Sequence, residues 1–279
     1  MSMYTIEDLH YLMIRLRRPE DGCPWDLKQD YVSILPSTIE EVYELVAAIE
    51  NRDFANLKEE LGDLLFQVVF YSQLAEEEQR FGLVDVVDGL VEKLLRRHPH
   101  VFPDGTLQSH RDKSLKVDES SIKQNWEKIK ETERGDKGLP GLMADIPQAL
   151  PAMMRAQKLQ KRAAKVGFDW TQTSAVLEKL KEEVAELEHA IEVREANNID
   201  NTGNVEEEFG DLLFSCVNLA RHLNLDPERS LRQANAKFQQ RIQFIEKKLE
   251  GDGKGFSDLS EQELDQLWLQ AKANLVSEG

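Results

Sequence analysis

The sequence predicts an all-α fold made of two tandem helical-bundle domains, and three features carry that expectation. Apolar residues recur at three- and four-residue spacing along most of the 279 residues, as on one-sided helices. No stretch alternates apolar and polar residues in the manner of a half-buried strand. An acidic motif, Glu59-Glu60-Leu61-Gly62-Asp63-Leu64-Leu65-Phe66, returns as Glu207-Glu208-Phe209-Gly210-Asp211-Leu212-Leu213-Phe214.

Taken in order, the periodic segments predict helices over 38–50, 54–80, 84–97 and 120–133 in the first half. In the second half they predict helices over 147–165, 173–195, 204–223, 227–250 and 260–276. Ser37 or Thr38 can cap the first of these helices and Thr173 or Ser174 the one over 173–195, because a hydroxyl accepts from unpaired first-turn amides. Pro99 stops a helix after His98, whereas Pro227 sits where a first turn begins. Residues 102–119 are polar and poorly periodic, a surface excursion. The run Ala196 to Asn204 is polar and turn-forming, a loop between two helices. Gly135-Asp136-Lys137-Gly138-Leu139-Pro140-Gly141 reads as a linker, which sets the expected domains at 1–140 and 141–279.

The duplication extends beyond the acidic motif. Asp26 answers to Asp169, Glu41 to Glu183, Asp63 to Asp211, Lys93 to Lys237 and Trp126 to Trp268. The respective offsets are 143, 142, 148, 144 and 142 residues. Landmarks in one order at nearly one offset mark a duplicated domain. The main length difference falls between the acidic clusters, where Glu44 to Glu60 is 16 residues and Glu186 to Glu208 is 22.

Composition narrows the function classes. A formal net charge of −17 opposes general binding to nucleic-acid backbones, which calls for a basic face. Small anionic substrates stay open, since a bound metal or a local basic cluster inverts the field at a site. Cys23 and Cys216 are the only cysteines and no Cys or His cluster has zinc spacing, which fits a reducing, cytoplasmic compartment. The first residues lack the basic and apolar parts of a signal peptide. The longest apolar stretch, Leu61 to Ala75, is too short for a membrane span and carries Asp63.

Residues three or four apart share a helix face, so Glu183 projects with Glu186 and Glu208 with Asp211. Two such helices side by side gather four carboxylates. Glu41, Glu44, Glu60 and Asp63 form the equivalent set in the first half. Glu182 and Glu207, like Glu40 and Glu59, flank these pairs and can order a water or tune the ligands. Carboxylates beside apolar runs such as Leu212-Leu213-Phe214 are expected to be partly buried, which is unfavourable unless a cation neutralises them. An all-oxygen ligand set without histidine favours Mg²⁺ or Mn²⁺ over zinc or a di-iron centre. The alternative is a solvated acidic face with ordinary salt bridges. Gly62 and Gly210, poor helix formers, would allow close helix contact or substrate approach beside the ligands.

Lys237 and Arg241 lie one turn apart, and Lys272 one turn after Trp268. Such a set can hold phosphate oxygens, or else pair with surface acids. Trp25 and Trp170 can stack on a base or serve as capping contacts, and His98 and His100 mark a helix terminus or a phosphate contact.

Glu40-Glu41-x-x-Glu44 followed by Glu60-x-x-Asp63, with Cys23-Pro24-Trp25-Asp26 upstream and Arg96-Arg97-His98-Pro99-His100-Val101-Phe102 downstream, resembles the MazG family. These are nucleoside triphosphate pyrophosphohydrolases of the all-α NTP pyrophosphatase superfamily, and the resemblance spans nearly the whole chain. It implies Mg²⁺-dependent hydrolysis of (d)NTPs to monophosphate and pyrophosphate, a helical bundle in each half, and a homodimer whose interface contributes to the sites. By the same resemblance the metal ligands are Glu183, Glu186, Glu208 and Asp211, with Glu182 and Glu207 supporting the catalytic water. Substrate contacts fall to Lys130, Lys237, Arg241, Trp268 and Lys272, and Asn204 stands where members can carry a lysine. The second half is implied to be the main catalyst, and Glu41, Glu44, Glu60 and Asp63 form a second candidate site. Rival readings are a nucleotide-sensing module without turnover, a purely structural acidic bundle, and a narrower enzyme acting on dUTP or a phosphoribosyl nucleotide.

Overall fold

A computed structural model describes residues 3–112, 118–136, 138, 141–197 and 202–277. Among these, every regular element is helical. The chain divides into two compact units, Met1–Thr132 and Glu133–Gly279. The helices are α1 (Ile6–Leu16), α2 (Leu35–Asn51), α3 (Phe54–Glu77), α4 (Leu83–Arg97), α5 (Glu119–Asp136), α6 (Ala152–Lys165), α7 (Thr173–Asn197), α8 (Thr202–His222), α9 (Pro227–Asp252) and α10 (Glu261–Ser277). Short 3₁₀ turns occupy Asp26–Lys28 and Phe256–Asp258. All nine sequence-predicted helices are present. The predicted start at 147 is not, because Pro151 is the N-cap of α6 and helix begins only at Ala152. The linker at 135–141, the excursion at 102–119 and the loop at 196–204 lie partly outside the described residues, at 137, 139–140, 113–117 and 198–201 respectively.

Helix α1 was not anticipated. Its signal is the capping box Thr5-x-x-Asp8: the Asp8 amide donates to Thr5 Oγ1 at 3.3 Å, and the Thr5 amide donates to Asp8 Oδ2 at 2.8 Å. Helix α2 starts at Leu35, with Ile34 at the cap position and Pro36 in the first turn, so Ser37 and Thr38 sit inside it and cap nothing. Proline tolerates that first turn because its missing N–H would be unpaired there anyway. The Thr38 hydroxyl instead donates to the Ile34 carbonyl at 3.1 Å and meets Tyr71 Oη at 3.0 Å, tying α2 to α3.

In the first unit α3 is the central rod, packed on α1, α2 and α4. Its Val69, Phe70 and Leu74 close a core with Met13, Ile34 and Leu83. Beside that core Arg17 is almost fully buried. Its guanidinium donates to both Glu77 carboxylate oxygens at 2.8 Å, to the carbonyls of Asp26 and Gln29, and lies 5.3 Å from the Phe70 ring centroid. One side chain thus ties α1, the turn at Asp26–Lys28 and the end of α3 together.

In the second unit α7 and α8 form the most extensive helix pair, α6 packs on α8, and α9 packs on α10. Gln160 Nε2 donates to the Phe214 carbonyl at 2.9 Å, which fixes α6 against α8. Ile245, Leu249 and Ala271 form a core where α9 meets α10, with Trp268 packed against it. In both units the paired helices leave apolar side chains exposed: Ile39, Val42, Leu61, Leu65 and Val68 in the first, Leu177, Val184, Ile191, Phe209 and Leu213 in the second. No helix among the described residues is long and apolar enough to cross a membrane.

Candidate functional site

Each acidic cluster is built on one antiparallel helix pair. In the first unit the reversal takes two residues: Arg52 adopts a left-handed conformation (φ 56°) as the C-cap of α2, and Asp53 caps α3 by accepting from the amides of Ala55 and Asn56 at 3.2 and 3.1 Å. That tight turn brings Glu41 on α2 opposite Glu60 and Asp63 on α3, with carboxylate oxygens of all three within 4.8 Å of one another. In the second unit Glu183 and Glu186 on α7 meet Glu208 on α8 within the same limit. Glu44 and Asp211 fall outside these sets, yet both are close enough to raise the pKa of their neighbours.

Burial is distributed differently from the expectation. Glu60 and Glu183 are the deeply buried members, whereas Asp63 and Asp211 are exposed despite the apolar residues that follow them. The reason is angular. Residues three apart on an α-helix point about 60° apart, so Glu60 is buried while Asp63, one turn on, is exposed, and Asp211 is likewise more exposed than Glu208. Gly62 and Gly210 also differ from expectation, since a Cβ at either would meet nothing within 4 Å. Neither glycine permits a close helix approach within its unit; both lie on open helix surface beside an aspartate.

Desolvation, reinforced by Asp63, Glu44 and Glu60, pushes the Glu41 carboxyl above its ordinary range. Glu60 is raised by desolvation and by Glu44 and Asp63, and Glu208 by desolvation and by Glu186, Asp211 and Glu207. A carboxyl whose folded pKa is raised holds its proton longer in the native chain than in the unfolded one. The metal-free protein therefore loses stability as pH rises from the ordinary carboxyl value through the raised one. Glu208→Gln removes this penalty, so in EDTA it is expected to melt at a higher temperature than wild type at neutral pH. In excess Mg²⁺ the order is expected to reverse, and differential scanning calorimetry reads both.

The donor set suits a hard divalent cation. Mg²⁺ binds carboxylate oxygens at about 2.1 Å, so two ligands on opposite sides of one ion lie about 4.2 Å apart. The carboxylate oxygens of each trio lie within 4.8 Å of one another, slightly beyond that span, so holding one ion calls for them to draw closer together. A cavity of about 610 Å³ adjoins the second cluster, lined by Glu182, Glu186, His189, Val193, Asn204 and Glu208. Glu182 and Glu207 are both exposed.

The expected phosphate contacts gather elsewhere in the second unit. The Arg241 guanidinium lies 5.2 Å, and Lys272 Nζ 5.8 Å, from the Trp268 ring centroid, with Phe238 packed on the same indole at 5.5 Å. Lys237 is exposed one turn before Arg241. No hydrogen bond or ion pair among the described residues joins this basic and aromatic group to the carboxylates. Lys130 belongs to the first unit. Trp25 is largely exposed and Trp170 less so, while His98 packs edge-on to Trp126 at 5.2 Å.

Two features escaped the sequence reading. Lys179, on α7, pairs with Glu182 and Glu183, each at 2.9 Å. These contacts hold the ammonium's pKa above its ordinary value, with the Glu182 hydrogen bond as the largest cause. The signal was the three- and four-residue spacing, which also describes an ordinary surface pair. The second is a latch around Asp169, which accepts from Arg221 Nη1 at 2.9 Å, from Arg221 Nη2, and from the Trp170 amide at 2.9 Å. His222 Nε2 lies 3.0 Å away. Hydrogen bonds from Arg221 hold the Asp169 carboxyl at about 2. Its stabilisation is present above the ordinary carboxyl value of 3.8 and is lost as pH falls towards 2. Arg221→Ala is expected to lower stability by about 1–2 kcal/mol at pH 7, allowing for solvent screening, and by little at pH 2. Urea titrations at the two pH values check this.

A family model described as the MazG nucleotide pyrophosphohydrolase domain matches residues 29–102 and again 171–244. The chain belongs to the MazG family. One MazG segment falls within each half of the internal duplication, and each encloses one carboxylate cluster. Lys237 and Arg241 fall within the second segment, whereas Lys130, Trp268 and Lys272 lie outside both. The chain is 44% identical over 270 residues to an Escherichia coli K12 protein named nucleoside triphosphate pyrophosphohydrolase, covering 97% of this chain and 98% of that one. It is also 44% identical over 266 residues to a Thermotoga maritima protein named nucleoside triphosphate pyrophosphohydrolase/pyrophosphatase MazG, covering 95% of each. A crystal structure of a mazG-related protein from Thermotoga maritima aligns with a TM-score of 0.37 at 26% identity, over 45% of this chain and 98% of that one.

Proposed function

We propose that this MazG protein is a Mg²⁺-dependent nucleoside triphosphate pyrophosphohydrolase. It converts (d)NTP and water to (d)NMP and diphosphate in a cytoplasmic, pool-cleaning role, with residues 141–279 as the main catalytic half. The observation that carries this reading is the convergence of Glu183, Glu186 and Glu208 from two helices onto one point beside a nucleotide-sized cavity. The names of full-length relatives at 44% identity support the substrate class.

Glu183, Glu186, Glu208 and Asp211 would hold the metal, and Mn²⁺ can replace Mg²⁺ in such an all-oxygen set. When bound, the ion supplies a Lewis acid for phosphate oxygens and lowers the pKa of a water. Glu182 and Glu207, both exposed, would accept the proton of the attacking water. Lys237, Arg241 and Lys272 hold phosphate oxygens, and Trp268 holds Arg241 and Lys272 by cation–π contact. The side of the cavity bounded by His189, Ala190, Val193 and Asn204, away from Glu182, Glu186 and Glu208 on the same lining, takes the nucleoside. Glu41, Glu60 and Asp63, with Glu44 close by, would form a second candidate site of the same kind.

A homodimer completes this reading. The uncovered apolar faces of α2, α3, α7 and α8 are of the kind that a second copy buries. Gly62 and Gly210, open in the single chain, would then face that partner or the substrate.

The test is to incubate the chain with Mg²⁺ and a panel of NTPs and dNTPs and to follow products by phosphorus NMR. Monophosphate plus pyrophosphate is expected. Nucleoside diphosphate plus orthophosphate would contradict the proposed bond cleavage, and tight binding without product would favour a nucleotide-sensing module.

A further inference from the structure

The two duplicated clusters differ in one resident charge. In the second, Lys179 lies one turn ahead of Glu183, and its Nζ stands 2.9 Å from Glu182 Oε1, 2.9 Å from Glu183 Oε1 and 4.0 Å from Glu186 Oε2. Its side chain is 32% exposed and that of Glu183 only 7%, so the Lys179–Glu183 pair is shielded from solvent, whereas Glu182 and Glu186 are exposed. At the offset of 142 that sets Glu183 against Glu41, Lys179 answers to Ser37. Among the described residues no ion pair joins Glu41, Glu60 or Asp63 to a lysine or arginine. One ammonium therefore sits against two of the three converging carboxylates of the second cluster, whereas the first has no such cation among the described residues.

An ammonium and a divalent ion cannot share the same carboxylate oxygens without repelling each other, so either species must give way. We propose that Lys179 is a positioning residue that acts as the resident cation of the second cluster and must leave Glu183 and Glu186 before metal binds. Free Mg²⁺ then binds weakly, and metal enters together with a polyphosphate, whose negative charge receives the displaced ammonium. Lys179 has the reach for this because it is tethered only through its flexible side chain. The consequence is an ordered site: metal and nucleotide load as one, and the empty cluster is kept from collecting metal alone. This inference rests on the second cluster being the metal site.

The test measures Mn²⁺ binding by electron paramagnetic resonance, on the full chain carrying Glu60→Gln to silence the first cluster. It is run with and without a non-hydrolysable nucleoside triphosphate analogue. Removing two partly exposed ion pairs by Lys179→Gln is expected to tighten nucleotide-free Mn²⁺ binding about tenfold, and to abolish most of the enhancement that the analogue gives when Lys179 is present. Lys179→Arg, which keeps a cation in place, is expected to retain weak nucleotide-free binding. Equal Mn²⁺ affinity with lysine and glutamine at 179 would overturn the inference while leaving the metal site standing. Unchanged binding in Glu186→Gln would instead remove the metal site itself, and the inference with it.

Discussion

Glu186→Gln and Asp211→Asn are each expected to lower pyrophosphate release by about three orders of magnitude while leaving the helical circular-dichroism spectrum unchanged. Both substitutions remove a charge without removing volume, and both sites are solvent-accessible, so the fold has little reason to respond. The effect falls on the cation instead. Glu186 belongs to the converging trio, and Asp211 is near enough to raise Glu208. Losing either leaves a metal bound with fewer anionic oxygens and in poorer geometry. Wild-type-like turnover from either variant would exclude the second cluster as the catalyst.

Arg17→Ala is expected to destabilise the first unit by roughly 3 kcal/mol, the scale of breaking a buried ion pair from one side. Arg17 is almost fully buried and serves three acceptors at once: the Glu77 carboxylate and the carbonyls of Asp26 and Gln29. Its loss leaves Glu77 without its cationic partner in a part-buried position. Hydrogen bonds from Arg17 and Gln73 lower the Glu77 carboxyl below its ordinary value against an opposing desolvation. Adding Glu77→Gln to Arg17→Ala should recover part of the deficit, since no charge then remains unpaired. Denaturant unfolding of the full chain measures both, and a loss under about 1 kcal/mol for Arg17→Ala would show that Glu77 finds adequate solvation without its partner.

The parts of the molecule legible in sequence are those set by local periodicity. The spacing Glu183-x-x-Glu186 puts both carboxylates on one face wherever α7 happens to lie, and the repeat of Glu208-Phe209-Gly210-Asp211 identifies the helix that faces it. The nine long helices were readable for the same reason. What was not readable depends on which side of a helix meets its neighbour. Glu60 and Glu183 rather than Asp63 and Asp211 are buried, an outcome set by how each helix is rotated against its neighbour. Periodicity does not fix that rotation. Helix α1 is announced both by a capping box at Thr5 and Asp8 and by Ile6, Leu9, Met13 and Leu16 at three- and four-residue spacing, a local signal that was legible and was passed over. Lys179 lies at a spacing shared by countless surface pairs, so only its position over Glu183 in three dimensions separates it from them. The Asp169 latch joins residues 52 and 53 positions apart, beyond the reach of any local pattern.

The most direct measurement is a crystal structure of the chain with Mg²⁺ and a nucleoside triphosphate analogue that resists cleavage between its α- and β-phosphates. Metal density bridging Glu183, Glu186 and Glu208 to the triphosphate is the predicted result. Carboxylates splayed apart with no ion between them, and the analogue bound elsewhere or not at all, would contradict it.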